Sequence, residues 1–276
     1  NIVQFLFQNG AEDDVRRPNN DGITPMFITC SKGHLNIVQF LFQNGAKDDI
    51  RRPSTKGWTP MLAACSKGHL DIVKFLFHNG AQCDVRRASN NLSTPMFIAC
   101  QNNHLHIAQF LYDNGANDDV RRPNKRTTTP MLFACEKGRL DIVKFLFQHG
   151  AKEDFWMANN DGTTPMNVAC RCNTFSTCEQ GNISLMKFLF EYGGQDAIRR
   201  SDDNGSTPLM IACNSGFQNS SQLNIVQYLH NNGAAQDVNT PASPLCHSNP
   251  QTPIALACEN NHLNIVQFLK PLIKRS

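Results

Sequence analysis

Two short apolar patterns alternate along almost the whole chain. The first opens on Thr-Pro, as in Thr24-Pro25-Met26-Phe27-Ile28-Thr29-Cys30, and closes at Gly33. Thr24 stands where a hydroxyl caps a helix N-terminus, and Pro25 fits the first helical position, whose N–H needs no partner inside the helix. Gly33 accepts the left-handed conformation that ends such a helix. The second pattern is amphipathic: Leu35, Val38, Leu41 and Phe42 recur at three- and four-residue intervals and line one face, with Asn36, Gln39 and Gln43 on the other, until Gly45. Ala46 to Trp58 then carries Asp48, Asp49, Pro53 and Gly57, a turn-rich composition that predicts a hairpin or long loop.

The pair of patterns repeats. Thr-Pro returns at Thr24, Thr59, Thr94, Thr129, Thr164, Thr207 and Thr252, in steps of 35, 35, 35, 35, 43 and 45 residues. A lone helix pair of this size cannot bury its apolar face, whereas stacked copies share one continuous core. The expectation is an all-α repeat solenoid of helix-turn-helix layers joined by hairpin-like loops, forming a single domain over residues 1–276. Its layers are a partial repeat at 1–14, then 15–49, 50–84, 85–119, 120–154, 155–197, 198–237 and 238–276, the last a C-terminal cap. Layers packed about 8 to 10 Å apart would make it roughly 60 to 70 Å long.

The words Thr94-Pro95-Met96-Phe97-Ile98-Ala99-Cys100 and Lys67-Gly68-His69-Leu70-Asp71-Ile72-Val73-Lys74-Phe75-Leu76-Phe77-His78-Asn79-Gly80-Ala81 resemble ankyrin repeats, and the resemblance covers essentially the whole chain. It implies stacked helix pairs and a role in protein–protein interaction. The chain departs from the family's pattern in three ways. The usual Leu-His after Thr-Pro is replaced by Met26-Phe27, Met61-Leu62, Met96-Phe97, Met131-Leu132, Met166-Asn167, Leu209-Met210 and Ile254-Ala255, which removes the hydrogen bonds that His makes. The second helix carries Phe-Leu-Phe, as at Phe40 to Phe42, in place of Leu-Leu. The period exceeds the family's about 33 residues, and a longer hairpin would absorb the extra pair.

Eleven cysteines change the picture of the compartment. Cys30, Cys65, Cys100, Cys135, Cys170, Cys213 and Cys258 occupy one place in successive first helices, so their Cα atoms lie about a layer apart, beyond the roughly 7 Å that a disulfide bridges. Buried free thiols point to a reducing compartment, cytoplasm or nucleus. No apolar run reaches the about 18 residues of a membrane span, so no membrane insertion is expected. The net charge of +3 is too small to imply nucleic acid.

The regularity fails at the ends and in two inserts. Asn1 to Gly10 matches a second helix without its first, which would leave Ile2, Val3 and Leu6 exposed and predicts further repeats upstream in a longer protein. Eight extra residues enter near Cys172 to Gly181, with Cys172, Cys178, Asn173, Thr174 and Ser176. The Cys spacing lacks the four-ligand pattern that zinc needs, and a partner-specific protrusion is the better reading. Five more residues lie within Asn214 to Gln222, and five in the loop holding Pro241, Pro244 and Pro250, where Cys246-His247 has no companion at ligand spacing. Pro271 ends the last helix.

Candidate function rests on side chains the stack does not need. Arg16-Arg17, Arg51-Arg52, Arg86-Arg87, Arg121-Arg122 and Arg199-Arg200 form a ladder that would bind an anion, a nucleic acid or an acidic partner. Against them stand Glu12, Asp13, Asp14, Asp48, Asp49, Asp84, Asp118, Asp119 and Asp196 close in sequence, so local ion pairing is the stronger reading and nucleic-acid binding the weaker. Phe155-Trp156 replaces the Arg pair once and offers either a partner anchor or a fold-back onto the next hairpin. Trp58 is the first choice for a contact residue. With it go Ile23, Ser93, Thr128, Thr163 and Ser206 before each Thr-Pro, and Lys32, Lys67, Asn102 and Lys137 at the first-helix ends.

Chemistry is not expected. Catalysis needs unlike groups converging on a pocket, whereas periodicity spreads these: His34, His69, His104 and His262 follow the same turn in separate layers. No Gly-rich phosphate loop, H-E-x-x-H or nucleophile elbow occurs. The expected protein is a non-catalytic scaffold without cofactor or metal, binding a folded protein partner.

Overall fold

The computed structural model describes residues 2–11, 13–171, 181–215, 220–241 and 251–273, and all regular structure among them is helical. Every Thr-Pro opens a helix: Pro25–Lys32, Pro60–Lys67, Pro95–Gln101, Pro130–Glu136, Pro165–Ala169, Pro208–Asn214 and Pro253–Glu259. In each the Thr side chain accepts a hydrogen bond from the N–H three residues on, as from Phe27 to Thr24 at 3.2 Å and from Leu62 to Thr59 at 3.2 Å. Such a cap contributes about 1 kcal/mol. Gly33 and Gly68 then turn the chain at φ 82.

The second helices Leu35–Gln43, Leu70–His78, Leu105–Asp113 and Leu140–Gln148 bury the face the spacing predicts, Val38 and Leu41 in one, Ile72, Val73 and Leu76 in the next. Their triplets, Phe-Leu-Phe or, in the third, Phe110-Leu111-Tyr112, have a purpose between layers. The last ring of one meets the edge of the first ring of the next, Phe7 on Phe40, Phe42 on Phe75 and Phe77 on Phe110, with centroids 5.4 to 5.5 Å apart. T-shaped pairs of this kind add about 0.5 to 1.5 kcal/mol beyond area burial.

The segment expected as a hairpin or long loop divides in two. A 3-10 turn comes first, as at Lys47–Arg51, Gln82–Arg86 and Asn117–Val120. Buried Ala46 donates to Leu41 O at 3.0 Å and Asp49 to Ala46 O at 3.1 Å, so the chain keeps winding as it leaves the helix. Only then does a tight hairpin form, closed by Ser54 N–H to Trp58 O at 2.8 Å and Gly57 N–H to Ser54 O at 2.9 Å. Thr55 N–H donates to Asp21 O and Asn90 N–H to Lys56 O, tying successive hairpins.

The chain divides into two compact units, residues 1–125 and 126–276. In the N-terminal unit neighbouring first helices pack far more closely than neighbouring second helices, so the first helices lie on the inner side of that stack. His69 and His104 fasten the same side. Their Nε2 atoms lie 3.2 Å from Ser31 O and 3.3 Å from Ser66 O of the preceding layer. A Cβ on Gly33 would come within 2.5 Å of the His69 ring, so glycine there serves close approach as well as turn geometry. The helix Ile2–Gln8 buries no residue, and Ile2, Phe5 and Leu6 are exposed while Val3 is half-buried.

In the C-terminal unit the helix Gly181–Arg199 is broken at Gly194, where φ is 74 and ψ −174. Three expectations are corrected here. Phe155 is buried, its ring stacked on Phe147 at 5.2 Å and edge-on to Phe188 at 6.0 Å. It holds the place of Ile50, Val85 and Val120 in the core, so Trp156 and Met157, not Phe155 and Trp156, stand where the Arg pair would be. Asn167 restores one polar contact expected to be absent: Thr164 N–H donates to Asn167 Oδ1 at 2.9 Å, and Asn167 Nδ2 to Arg200 O at 3.2 Å. Finally, Cys258 is exposed while the six equivalent thiols are buried, because no layer among the described residues covers its side of the helix. The inserted segments with Cys172, Cys178, Pro244, Pro250 and Cys246-His247 lie outside the described residues.

Candidate interaction surface

One aspartate in each regular layer decides what the Arg ladder does. Asp49, Asp84, Asp119 and Asp154 stand third in their 3-10 turns with side chains fully buried. Two guanidinium groups converge on each of the first three, one from its own layer and one from the layer before. Asp49 has Arg52 and Arg16, both at 3.6 Å. Asp84 has Arg51 at 3.4 Å and Arg87 at 3.6 Å, and Asp119 has Arg86 at 3.5 Å and Arg122 at 3.6 Å. In the C-terminal unit Arg199 holds buried Asp237 at 3.1 Å.

The second Arg of each pair has another task. Arg52, Arg87 and Arg122 donate to the carbonyls of Arg16, Arg51 and Arg86, at 3.4, 3.0 and 3.3 Å, and Arg200 donates to Trp156 O at 2.9 Å. A planar guanidinium can bond a carboxylate and a carbonyl together, which an ammonium does less well. Arg17 pairs with exposed Asp14 at 3.6 Å, and Arg121 is exposed and engaged. This edge therefore holds layers together. Burial outweighs the guanidiniums at Asp84 and Asp119 and pushes their carboxyls above the usual range, and the same holds for Asp237 beside Arg199.

The positions before each Thr-Pro do not behave alike. Ile23, Trp58, Thr128 and Ser206 are half-buried, whereas Ser93 and Thr163 are buried and offer no contact surface. Trp58 shares its backbone with the hairpin, but its indole makes no hydrogen bond or ring contact among the described residues. Lys32, Lys67, Asn102 and Lys137 are all exposed at first-helix ends. Lys137 is drawn to Glu136 at 2.8 Å and lies over the Phe133 ring. Trp156 is exposed, at 36 %.

Reading residue types in sequence missed two members of this surface. Lys56 and Lys125 are exposed at hairpin tips, three and four residues before a Thr-Pro, in the places that Asp21 and Asn20 hold in the first layer. The available signal was their spacing from Thr-Pro, which the Arg pairs overshadowed. Among the described residues Lys32, Lys56, Lys67 and Lys125 are in no ion pair.

Among the described residues reactive groups do not converge. The thiols of Cys100 and Cys213 are pushed by burial to about 12, and those of Cys30, Cys65 and Cys135 higher still, which keeps them protonated and inert. Among the described residues no group of three or more His, Cys, Asp or Glu is placed to hold a metal ion, and no helix is long and apolar enough to cross a membrane.

A family model of ankyrin repeats in three copies matches residues 1–87, 54–122, 96–179 and 159–242. With matches running from residue 1 to 242, the chain belongs to the ankyrin-repeat family, whose repeats generally mediate protein–protein interaction. No curated protein matches it.

Proposed function

We propose that this chain is a non-catalytic scaffold that binds a folded protein partner through its hairpin tips and first-helix ends. The carrying observation is a division of labour: Arg, Asp, His and Phe side chains tie layer to layer, while Trp58, Lys32, Lys67 and Asn102 are left exposed or half-exposed on the first-helix side. An anion-binding role for the Arg pairs is the weaker reading, because their guanidiniums already face carboxylates and carbonyls. Buried free thiols favour a reducing compartment, cytoplasm or nucleus.

The test is crosslinking of the tagged chain in an extract of its source, with identification of captured proteins by mass spectrometry. A discrete protein should be captured, and the combined Trp58→Ala and Asn102→Ala variant should lose it, while Gln39→Ala on a second helix retains it. Capture that is equally strong in both variants contradicts the assignment of the surface.

A further inference from the structure

The first-helix side of residues 1–125 carries a charge imbalance that the Arg edge conceals. Lys32 and Lys67 lie in the last turns of neighbouring first helices, one layer or about 10 Å apart. Lys56 and Lys125 project from hairpin tips, and Trp58 stands directly before the cap of the helix that ends in Lys67, about 12 Å away along an eight-residue helix. The nearby acids are Asp21 at a tip and Asp71 at the start of a second helix, and neither pairs with a lysine. The remaining acids in these layers lie on the 3-10 edge or along the second helices, and the edge acids are largely matched to arginines.

Resting on the scaffold reading, we propose that this face docks an acidic polypeptide segment carrying an apolar side chain for Trp58. Four ammonium groups with no ion pair among the described residues, beside a single unused indole, are complementary to carboxylates flanking one hydrophobic anchor. An extended peptide rises about 3.3 Å per residue, so a segment of ~12 residues spans about four layers. Single-stranded nucleic acid suits the face less well, because base recognition uses repeated aromatic platforms and this unit's face offers one. Lysine ammoniums left hydrated and unpaired also cost little to engage and steer an acidic ligand over distance.

The test uses the full chain and three fluorescein-labelled probes: a ~12-residue Glu/Asp peptide with one central Leu, its Lys/Arg counterpart, and a single-stranded DNA of equal charge. Fluorescence anisotropy at low salt should show saturable binding of the acidic peptide, tighter than of either other probe and weakening as salt is added. Lys32→Glu with Lys67→Glu should weaken it about tenfold or more, and Trp58→Ala severalfold, whereas Lys74→Glu on a second helix should leave it unchanged. Urea midpoints of all variants establish that they remain folded. No binding of the acidic peptide, or equal loss on Lys74→Glu, overturns the proposal, and so does DNA binding as tightly as the acidic peptide. Since the crosslinking test turns on Trp58 and Asn102 and not on lysine charge, a partner captured there alongside failure here separates the two readings.

Discussion

The two edges of residues 1–125 carry similar cations to opposite effect. On the 3-10 edge Arg51 reaches Asp84 and Arg87 reaches both Asp84 and the Arg51 carbonyl, so charge becomes adhesion between layers. On the first-helix side Lys32, Lys56, Lys67 and Lys125 reach no carboxylate among the described residues and stand exposed to water. The difference is made by one buried acid per layer. A buried carboxylate recruits whichever cation can satisfy it, and the forked guanidinium serves it together with a neighbouring carbonyl. Charge available to a partner is therefore what remains after burial has taken its share.

The largest expected effect comes from removing that acid. Asp84→Ala strands Arg51 and Arg87 around a vacated buried position, and the expected cost is about 2 kcal/mol, read from the urea midpoint. This is below the figure for a fully buried pair because the side chains of both arginines are nearly half exposed, at 46 % and 40 %. An unchanged midpoint would mean that the edge does not hold the layers.

A pH series sharpens the same point. The Asp84 carboxyl is raised above its usual 3.8, chiefly by burial, so the folded state holds that proton more tightly than the unfolded chain does. Its contribution to stability is greatest below 3.8 and declines as pH rises through the raised folded value. The stability of Asp84→Asn relative to the parent should therefore improve with rising pH across that window. A difference between their urea midpoints that stays flat from acid to neutral pH would contradict this.

Much of the layer was legible in the sequence, since Thr-Pro caps, turn glycines and a three-four spacing are local signals. Thr24 capping Phe27 and Gly33 in the left-handed region follow from residue identity alone. The edge was less legible. Asp48 and Asp49 look identical in sequence, yet one is exposed and the other buried, and only the path of the 3-10 turn separates them. The same winding shifted the register at Phe155, whose side chain belongs to the core and not to the ladder. Ser93 and Thr163 share a position with Trp58 but are buried, while the equally small Thr128 and Ser206 are half-buried, so residue identity alone does not separate them.

The smallest expected effect lies where the ladder lapses. Met157→Arg would give Asp154 the cation three residues on that Asp49, Asp84 and Asp119 have in Arg52, Arg87 and Arg122. Met157 is 41 % exposed, so the new pair should add at most about 0.5 kcal/mol. A clear loss in thermal midpoint would show that the apolar pair at this place has its own packing role.

The central claim is tested most directly by two charge-matched double variants, Arg51→Gln with Arg87→Gln and Lys32→Gln with Lys67→Gln, unfolded side by side in urea. Each removes two positive charges from the same unit. The arginine variant should lose about 2 kcal/mol, while the lysine variant stays within about 0.5 kcal/mol of the parent. Equal losses, or a larger loss from the lysines, would contradict the separation of an adhesive edge from a free face.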